Sequence, residues 1–313
     1  MVSVCMITYN HEKYISQAIE SILTQKVNFP IELVIGEDNS SDNTRKICIL
    51  YYEKYPDIIK LRLSDKNLGM MPNFIENLKA CKGNYIALLE GDDYWTDPLK
   101  LQKQVDFLEL NPDYVMCCHN VKIEKNNGEI EYISDKLKVK KETYTMEDLC
   151  SDMSIHTSSL LYRNNLLKEF PDMLYKCTIG DFALRILIAE HGKTKYMDEV
   201  MSAYRIHSGG IFSGAGLRYA ENVISTLGLL DTYYKGKYRA YFYPKDKMLV
   251  LYWDAFIYYC QSRHFRKIFY YAFKLFTTLK FSTKNPYKVT RIGIIKQLIF
   301  VFAKSKNKTF RLQ

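Results

Sequence analysis

Short apolar runs alternate with helical periods through the first 120 residues, the pattern of a mostly parallel sheet covered by helices on both faces. Val2 to Ile7, Ile31 to Gly36, Ile59 to Leu63, Tyr85 to Leu89 and Tyr114 to Cys118 read as strands. Ile15, Ala18, Ile19 and Ile22 recur at i, i+3, i+4 and i+7, and Leu101, Val105 and Leu108 do likewise, which predicts two helices with one face on the sheet. Asp97-Pro98 supplies a start signal for a helix over Leu99 to Leu110, and Asn111-Pro112 a stop. Asn127-Gly128 lies between Val121 to Ile123 and Ile130 to Ile133, a hairpin signal, so the sheet becomes mixed from there. Asp181 to His191 reads as a helix with Phe182, Ile186 and Ala189 inward, and Val200 to Tyr204 as a strand before the loop His207-Ser208-Gly209-Gly210. From Gly214 onward the pattern is helical and rich in Tyr, Phe and Lys. The expected boundary is near residue 215, with an α/β domain over 1–215 and a helical region over 216–313.

Composition changes this picture in two places. The eight cysteines include no C-x-x-C pair, which signals neither a zinc site nor a disulfide framework and fits a reducing compartment. Cys117 and Cys118 are adjacent on a strand, so their side chains point to opposite faces and read as core rather than as ligands of one ion. The first residues already read as a buried strand, so no secretion signal is expected and a cytoplasmic protein is. The formal charge is +9, but no Asp or Glu follows Asp254, while thirteen Lys and Arg fall between Arg263 and Arg311. The basic excess therefore belongs to the tail, which argues against a nucleic-acid-binding body.

Candidate chemistry sits at the strand ends, where open α/β sheets collect ligands. The first end gives Thr8-Tyr9-Asn10-His11-Glu12, the second Glu37-Asp38-Asn39-Ser40, and the fourth Glu90-Gly91-Asp92-Asp93; Asp65-Lys66-Asn67 follows the third. Neither G-x-G-x-x-G nor a P-loop is present, so phosphates need another holder. Asp92 and Asp93 offer hard oxygen ligands for Mg2+ or Mn2+, although two acids in a turn are common in any protein.

The segments "VCMITYNHEKYISQAIESILTQ", "ELVIGEDNSSDNT", "NLGMMPNF" and "GNYIALLEGDDYWTDPLKLQKQVDFL", in this order, resemble the family 2 glycosyltransferases over about residues 1–210. The resemblance implies the GT-A fold, a mixed, mostly parallel central sheet flanked by helices, here followed by a C-terminal helical, basic appendage. It implies an inverting transfer of a sugar from a nucleotide-sugar donor, UDP foremost, to a hydroxyl of a glycan or lipid-linked acceptor in surface-polysaccharide synthesis. Thr8, Tyr9, Glu12, Asp38, Asn67 and Asp92 are then the donor residues, with Asp38 accepting from the uracil ring. Asp93 is placed at the metal, and His207 of "EVMSAYRIHSGGIFSG" beside it as a neutral imidazole ligand. Glu90 stands where many relatives have Asp.

"IGDFALRILIAEHGK" resembles the block whose acid at a helix start is the general base, here Asp181, the alternative being a simple N-cap or first-turn acid. His156, Thr157 and Ser158 of "SIHTSSLLYRN" match the stretch that faces the acceptor. The glycines after His207 suggest a lid over the diphosphate. A sugar nucleotidylyltransferase would need a glycine-rich, arginine-containing loop after the first strand, and a non-catalytic donor-binding module would have lost Asp92-Asp93 or the Asp181 block. Ile268 to Leu279 and Ile292 to Ala303 are too short to span a bilayer. The basic tail thus reads either as a peripheral contact with the anionic inner face of the membrane or as a helical subdomain with a solvated basic face.

Overall fold

The computed structural model describes every residue except 138–140, 152–153, 211–217, 263, 280–289, 291 and 299–313. Gly214 and Gly216 of the expected lid, and the end of the Ile292 to Ala303 segment, lie outside the described residues. The chain divides into two compact units, Met1–Gly210 and Ile211–Gln313.

The first unit opens with β1 (Val2–Thr8), α1 (Ile15–Leu23), β2 (Ile31–Glu37), α2 (Thr44–Lys54), β3 (Ile59–Leu63), α3 (Met70–Ala80) and β4 (Tyr85–Leu88). All ladders among these four strands are parallel, in the order β3-β2-β1-β4. Ile15, Ala18, Ile19 and Ile22 of α1 are all buried in the main core with Val4, Met6, Leu33 and Ile35. Truncating such a side chain to Ala would cost about 2–5 kcal/mol. Two buried polar side chains on α3 tie the sheet down: Asn73 Nδ2 donates to the Gly36 carbonyl (2.8 Å), and Asn77 Nδ2 to those of Met6 (2.9 Å) and Val34 (2.8 Å).

Beyond β4 come β5 (Tyr94–Trp95), α4 (Lys100–Leu110), β6 (Tyr114–Glu124), β7 (Ile130–Tyr132), β8 (Thr143–Tyr144), α5 (Met146–Ser151), β9 (Leu161–Arg163), α6 (Asp172–Lys176), α7 (Gly180–Ala189) and β10 (Lys193–Arg205). The full order is β3-β2-β1-β4-β9-β6-β10-β5, with β7 on β6 and β8 on β10. The sheet is mixed: β9 runs antiparallel to both β4 and β6, while β6 and β10 form a long parallel ladder. The Asn127-Gly128 hairpin forms between β6 and β7, with Gly128 at φ 81°. Asp97 Oδ1 accepts from the Leu99 N–H (2.8 Å), and α4 follows.

Three expected strand segments belong to two longer strands. Tyr114 to Cys118 and Val121 to Ile123 are one strand because His119 and Asn120 between them are buried, Asn120 Oδ1 accepting from the N–H groups of Val121 and Ser134. Val200 to Tyr204 is the end of β10, whose first half alternates between buried Thr194 and Tyr196 and more exposed lysines. Cys117, Cys118 and His119 are all buried. Helix α7 is buried on nearly its whole circumference, well beyond Phe182, Ile186 and Ala189.

The second unit is helical in its described residues: Arg218–Tyr233, Arg239–Phe242, Lys245–Ser262 and Phe265–Leu279, with a further helical stretch over 292–298. Ile268, Tyr271, Ala272 and Leu275 form the buried face of one helix, and the Tyr259 and Tyr271 rings stack at 5.7 Å. Among the described residues no helix is long and apolar enough to cross a membrane.

Candidate active site

The strand order reverses between β1 and β4, since β2 and β3 lie on one side of β1 and the rest of the sheet on the other. The carboxyl ends of β1 and β4 therefore flank a crevice of the kind that binds ligands in doubly wound sheets. Gly91, just after β4, makes their close approach possible. Its N–H donates to the Ile7 carbonyl (3.0 Å), and a Cβ there would stand 2.5 Å from Thr8 Oγ1 and 3.0 Å from His11 Nδ1.

That approach gathers three acids. Carboxylate oxygens of Glu90, Asp92 and Asp93 all lie within 4.8 Å of one another. Asp93 is 1% exposed; its Oδ1 accepts from the Arg205 backbone N–H (3.0 Å), while Oδ2 is buried without a hydrogen-bond partner. Burial first, then the charges of Asp92 and Glu90, push the Asp93 carboxyl well above the ordinary carboxylate range. Burial, then Asp92 and Asp181, do the same to Glu90. Burial would raise Asp92 as well, but the hydrogen bond from His207 and the fields of His11 and His207 hold it below its usual value. His207 Nε2 is 3.1 Å and His11 Nε2 3.5 Å from Asp92 Oδ2. Clustered hard oxygens, one an orphan, suit a small divalent cation such as Mg2+ or Mn2+, which would relieve the repulsion that raises Glu90 and Asp93.

The opposite wall is the start of α7 and the 3₁₀ turn Thr157–Ser159. Gly180 lets Asp181 begin α7 against α3, because a Cβ on it would fall 2.1 Å from Met71 Sδ. Asp181 Oδ2 accepts from the Thr157 hydroxyl (2.9 Å). His156 Nδ1 accepts from the Ser158 N–H (3.3 Å), which leaves its proton on Nε2, 3.9 Å from Asp93 Oδ2. Burial, against the charges of Asp181 and Asp92, lowers the His156 pKa to about 4, so the ring is neutral at physiological pH.

The residues singled out from sequence fall into three groups. Asp92, Asp93, His207, His156 and Asp181 converge on the crevice, with His207 bonded to Asp92, the neighbour of Asp93 in the chain. Thr8 is buried beneath Gly91, whereas Tyr9 is 43% exposed at the rim. Glu12, Asp38 and Asn67 knit loops: Glu12 Oε2 accepts from the Asn43 N–H (2.9 Å), and Asn67 Nδ2 donates to the Asp38 carbonyl (3.2 Å). The Asp38 carboxylate accepts from the N–H groups of Leu68 (2.7 Å) and Gly69 (2.9 Å), so a nucleobase would have to share it. Ser158 is fully buried, its hydroxyl 2.8 Å from that of Ser202. His11 was not among the sequence candidates, although its place three residues after Thr8 in a polar strand end was visible. Arg205 meets the site through its backbone N–H and through Nη1, which donates to the Asp92 carbonyl (2.7 Å).

A family model, glycosyl transferase family 2, matches residues 3–170, more than half of the chain. An uncharacterized protein of Mycobacterium tuberculosis is 34% identical over 213 residues, covering 68% of this chain and 61% of the relative, so the chain spans under two thirds of that relative's length. An uncharacterized glycosyltransferase of Methanocaldococcus jannaschii is 27% identical over 279 residues, 87% of this chain and 86% of the relative. The mannosyltransferase PcManGT of Pyrobaculum calidifontis, solved with GDP-Man and Mn2+, superposes with a TM-score of 0.59 at 17% identity, covering 97% of this chain and 86% of that one. Residues 1–349 of S. aureus TarS, solved with UDP-GlcNAc, give 0.57 at 17% identity, covering 85% and 89%. These likenesses bear out the expected GT-A architecture.

Proposed function

From the premise that this chain belongs to glycosyl transferase family 2, we propose that it transfers a sugar, with inversion, from a nucleotide-sugar donor to a hydroxyl of a glycan or lipid-linked acceptor in surface-polysaccharide synthesis. The observation that carries this reading is the convergence of three carboxylates with an orphan oxygen at the β1/β4 switch point, facing the start of α7. Thr8, Tyr9, Glu12, Asp38, Asn67 and Asp92 form the donor side, through loop order as much as through direct contact. Glu90, Asp92 and Asp93 would hold a divalent cation, Mn2+ or Mg2+, which when bound supplies positive charge against the donor diphosphate. His207 and His11 orient Asp92, and His207 flanks the cation position. The UDP-GlcNAc and GDP-Man bound in the neighbouring structures support UDP and GDP sugars as donors, with UDP preferred here.

Asp181 takes the proton of the acceptor hydroxyl as the acceptor oxygen bonds to the anomeric carbon. The bond from that carbon to the diphosphate breaks, and its electron pair leaves on the diphosphate oxygen. Attack opposite the leaving group needs one base and no carboxylate nucleophile, and it inverts configuration. His156 and Thr157 line the acceptor side.

The setting is the cytoplasmic face of the membrane, with the second unit as a peripheral contact. Its support is the acid-free tail after Asp254 together with Tyr270 and Phe273, which are 48% and 66% exposed on a helix whose other face is buried. The donor reading is tested by thermal shift and nucleotide release with UDP-, GDP- and dTDP-sugars, each with Mn2+ and with EDTA. A Mn2+-dependent shift with a UDP-sugar is expected. Absence of any shift, or shifts unaffected by EDTA, would refute it.

A further inference from the structure

Thr157 falls in a segment matched only loosely to the acceptor, yet its hydroxyl does not point into open space. It is spent on Asp181 Oδ2, at 2.9 Å, and Thr157 is 8% exposed. Among the described residues Asp181 makes no other side-chain hydrogen bond.

The turn that carries Thr157 is itself held from four directions. Arg185 Nη1, one helical turn after Asp181, donates to the Ile155 carbonyl (2.7 Å). Trp95 Nε1 donates to the Ser158 carbonyl (3.0 Å) and Gln104 Nε2 to that of Ser159 (2.9 Å). Ser158 Oγ meets Ser202 Oγ at 2.8 Å. Gln104 is in turn fixed by the buried Lys100, whose Nζ donates to its Oε1 (2.8 Å) and lies 4.1 Å from the centre of the Trp95 ring. Strands β5 and β10 and helices α4 and α7 thus converge on one short turn, and what that turn presents to Asp181 is the Thr157 hydroxyl. So much support for a segment that gives a candidate base a single hydrogen bond is what positional accuracy requires.

We infer that Thr157 is the positioning residue of the general base: it locks Asp181 so that Oδ1 is presented to the acceptor hydroxyl. The inference rests on the reading of Asp181 as the base. Two effects oppose each other at this contact. A hydrogen bond to the carboxylate lowers its basicity, whereas fixed orientation speeds proton transfer from a bound hydroxyl. The protein's investment in the turn identifies orientation as the larger effect.

The test uses the full chain with Mn2+ and UDP-N-acetylglucosamine, reading UDP release, together with crystal structures of the variants. Thr157→Val, close in shape but without the hydroxyl, is expected to lower kcat at least tenfold with the donor KM within twofold. Thr157→Ser, which keeps the donor, is expected to recover most of the loss, and Asp181 in Thr157→Val to occupy more than one rotamer. In an Asp181→Asn background, Thr157→Val is expected to have no further effect. Should Asp181→Asn itself keep the wild-type rate, the base reading falls and this inference with it. If Asp181→Asn is crippled while Thr157→Val turns over at or above the wild-type rate, or holds Asp181 in its original rotamer, only the positioning role is overturned. A rise in KM with kcat unchanged would likewise overturn it, making Thr157 a binding residue.

Discussion

Asp93 concentrates the site's electrostatic cost, and replacing it by asparagine separates stability from function. Without a cation, Asp93 is buried with one oxygen unpartnered among carboxylates within 4.8 Å. In Asp93→Asn the amide would keep the Oδ1 acceptor for the Arg205 N–H and turn a donor toward those carboxylates. Relieving a buried unpaired polar group is worth about 1–3 kcal/mol. At roughly 2–4 °C per kcal/mol for a domain of this size, metal-free Asp93→Asn should melt about 2–12 °C above wild type. The pH dependence has a definite sign. Asp93 has a raised pKa in the folded state, so its contribution favours folding at acid pH and is lost as pH rises from the unfolded value of 3.8 through the raised one. The advantage of asparagine should therefore grow with pH and disappear in acid. Mn2+ should reverse the ranking, since a cation at about a hundred times its dissociation constant adds about 2.7 kcal/mol to a protein that binds it. The assay is calorimetry in EDTA and in Mn2+ across pH, beside nucleotide release. A metal-free Asp93→Asn less stable than wild type, or equal protection of both by Mn2+, would refute the reasoning, as would full transferase activity of the variant.

Asp181→Asn should leave UDP binding by titration calorimetry nearly intact and reduce turnover about a hundredfold or more; if binding falls in parallel, Asp181 is structural. Gly91→Ala should destabilise by about 1–3 kcal/mol, because its Cβ would lie 2.5 Å from Thr8 Oγ1, and an unchanged urea midpoint would argue that β1 and β4 do not need this approach. The full chain should float with phosphatidylserine vesicles at low salt, fail to do so with phosphatidylcholine alone, and be released by salt near 1 M, where the screening length is about 3 Å. Flotation indifferent to lipid charge would remove the peripheral-membrane reading.

Local pattern alone determined much of this protein. The 3.6-residue period of α1, the Asp97-Pro98 start of α4 and the Asn127-Gly128 turn each act within a few residues, so the parallel β/α half and the hairpin were legible in the sequence. So were the acidic strand end and the family resemblance that pointed to Asp93 and Asp181. Other features depend on contacts remote in sequence. Strand β9 is only three residues long and exists because β4 and β6 offer it two edges, which no periodicity encodes. The join of Tyr114 to Cys118 with Val121 to Ile123 was hidden by polar His119 and Asn120, which are buried with Asn120 Oδ1 accepting from the Ser134 N–H and His119 Nδ1 against the Asn120 carbonyl. His207 sits on Asp92, and Thr157 holds Asp181, across separations of 115 and 24 residues. Hydrogen bonding needs atoms placed within a fraction of an ångström, and over such separations only the packed sheet and its helices supply that placement.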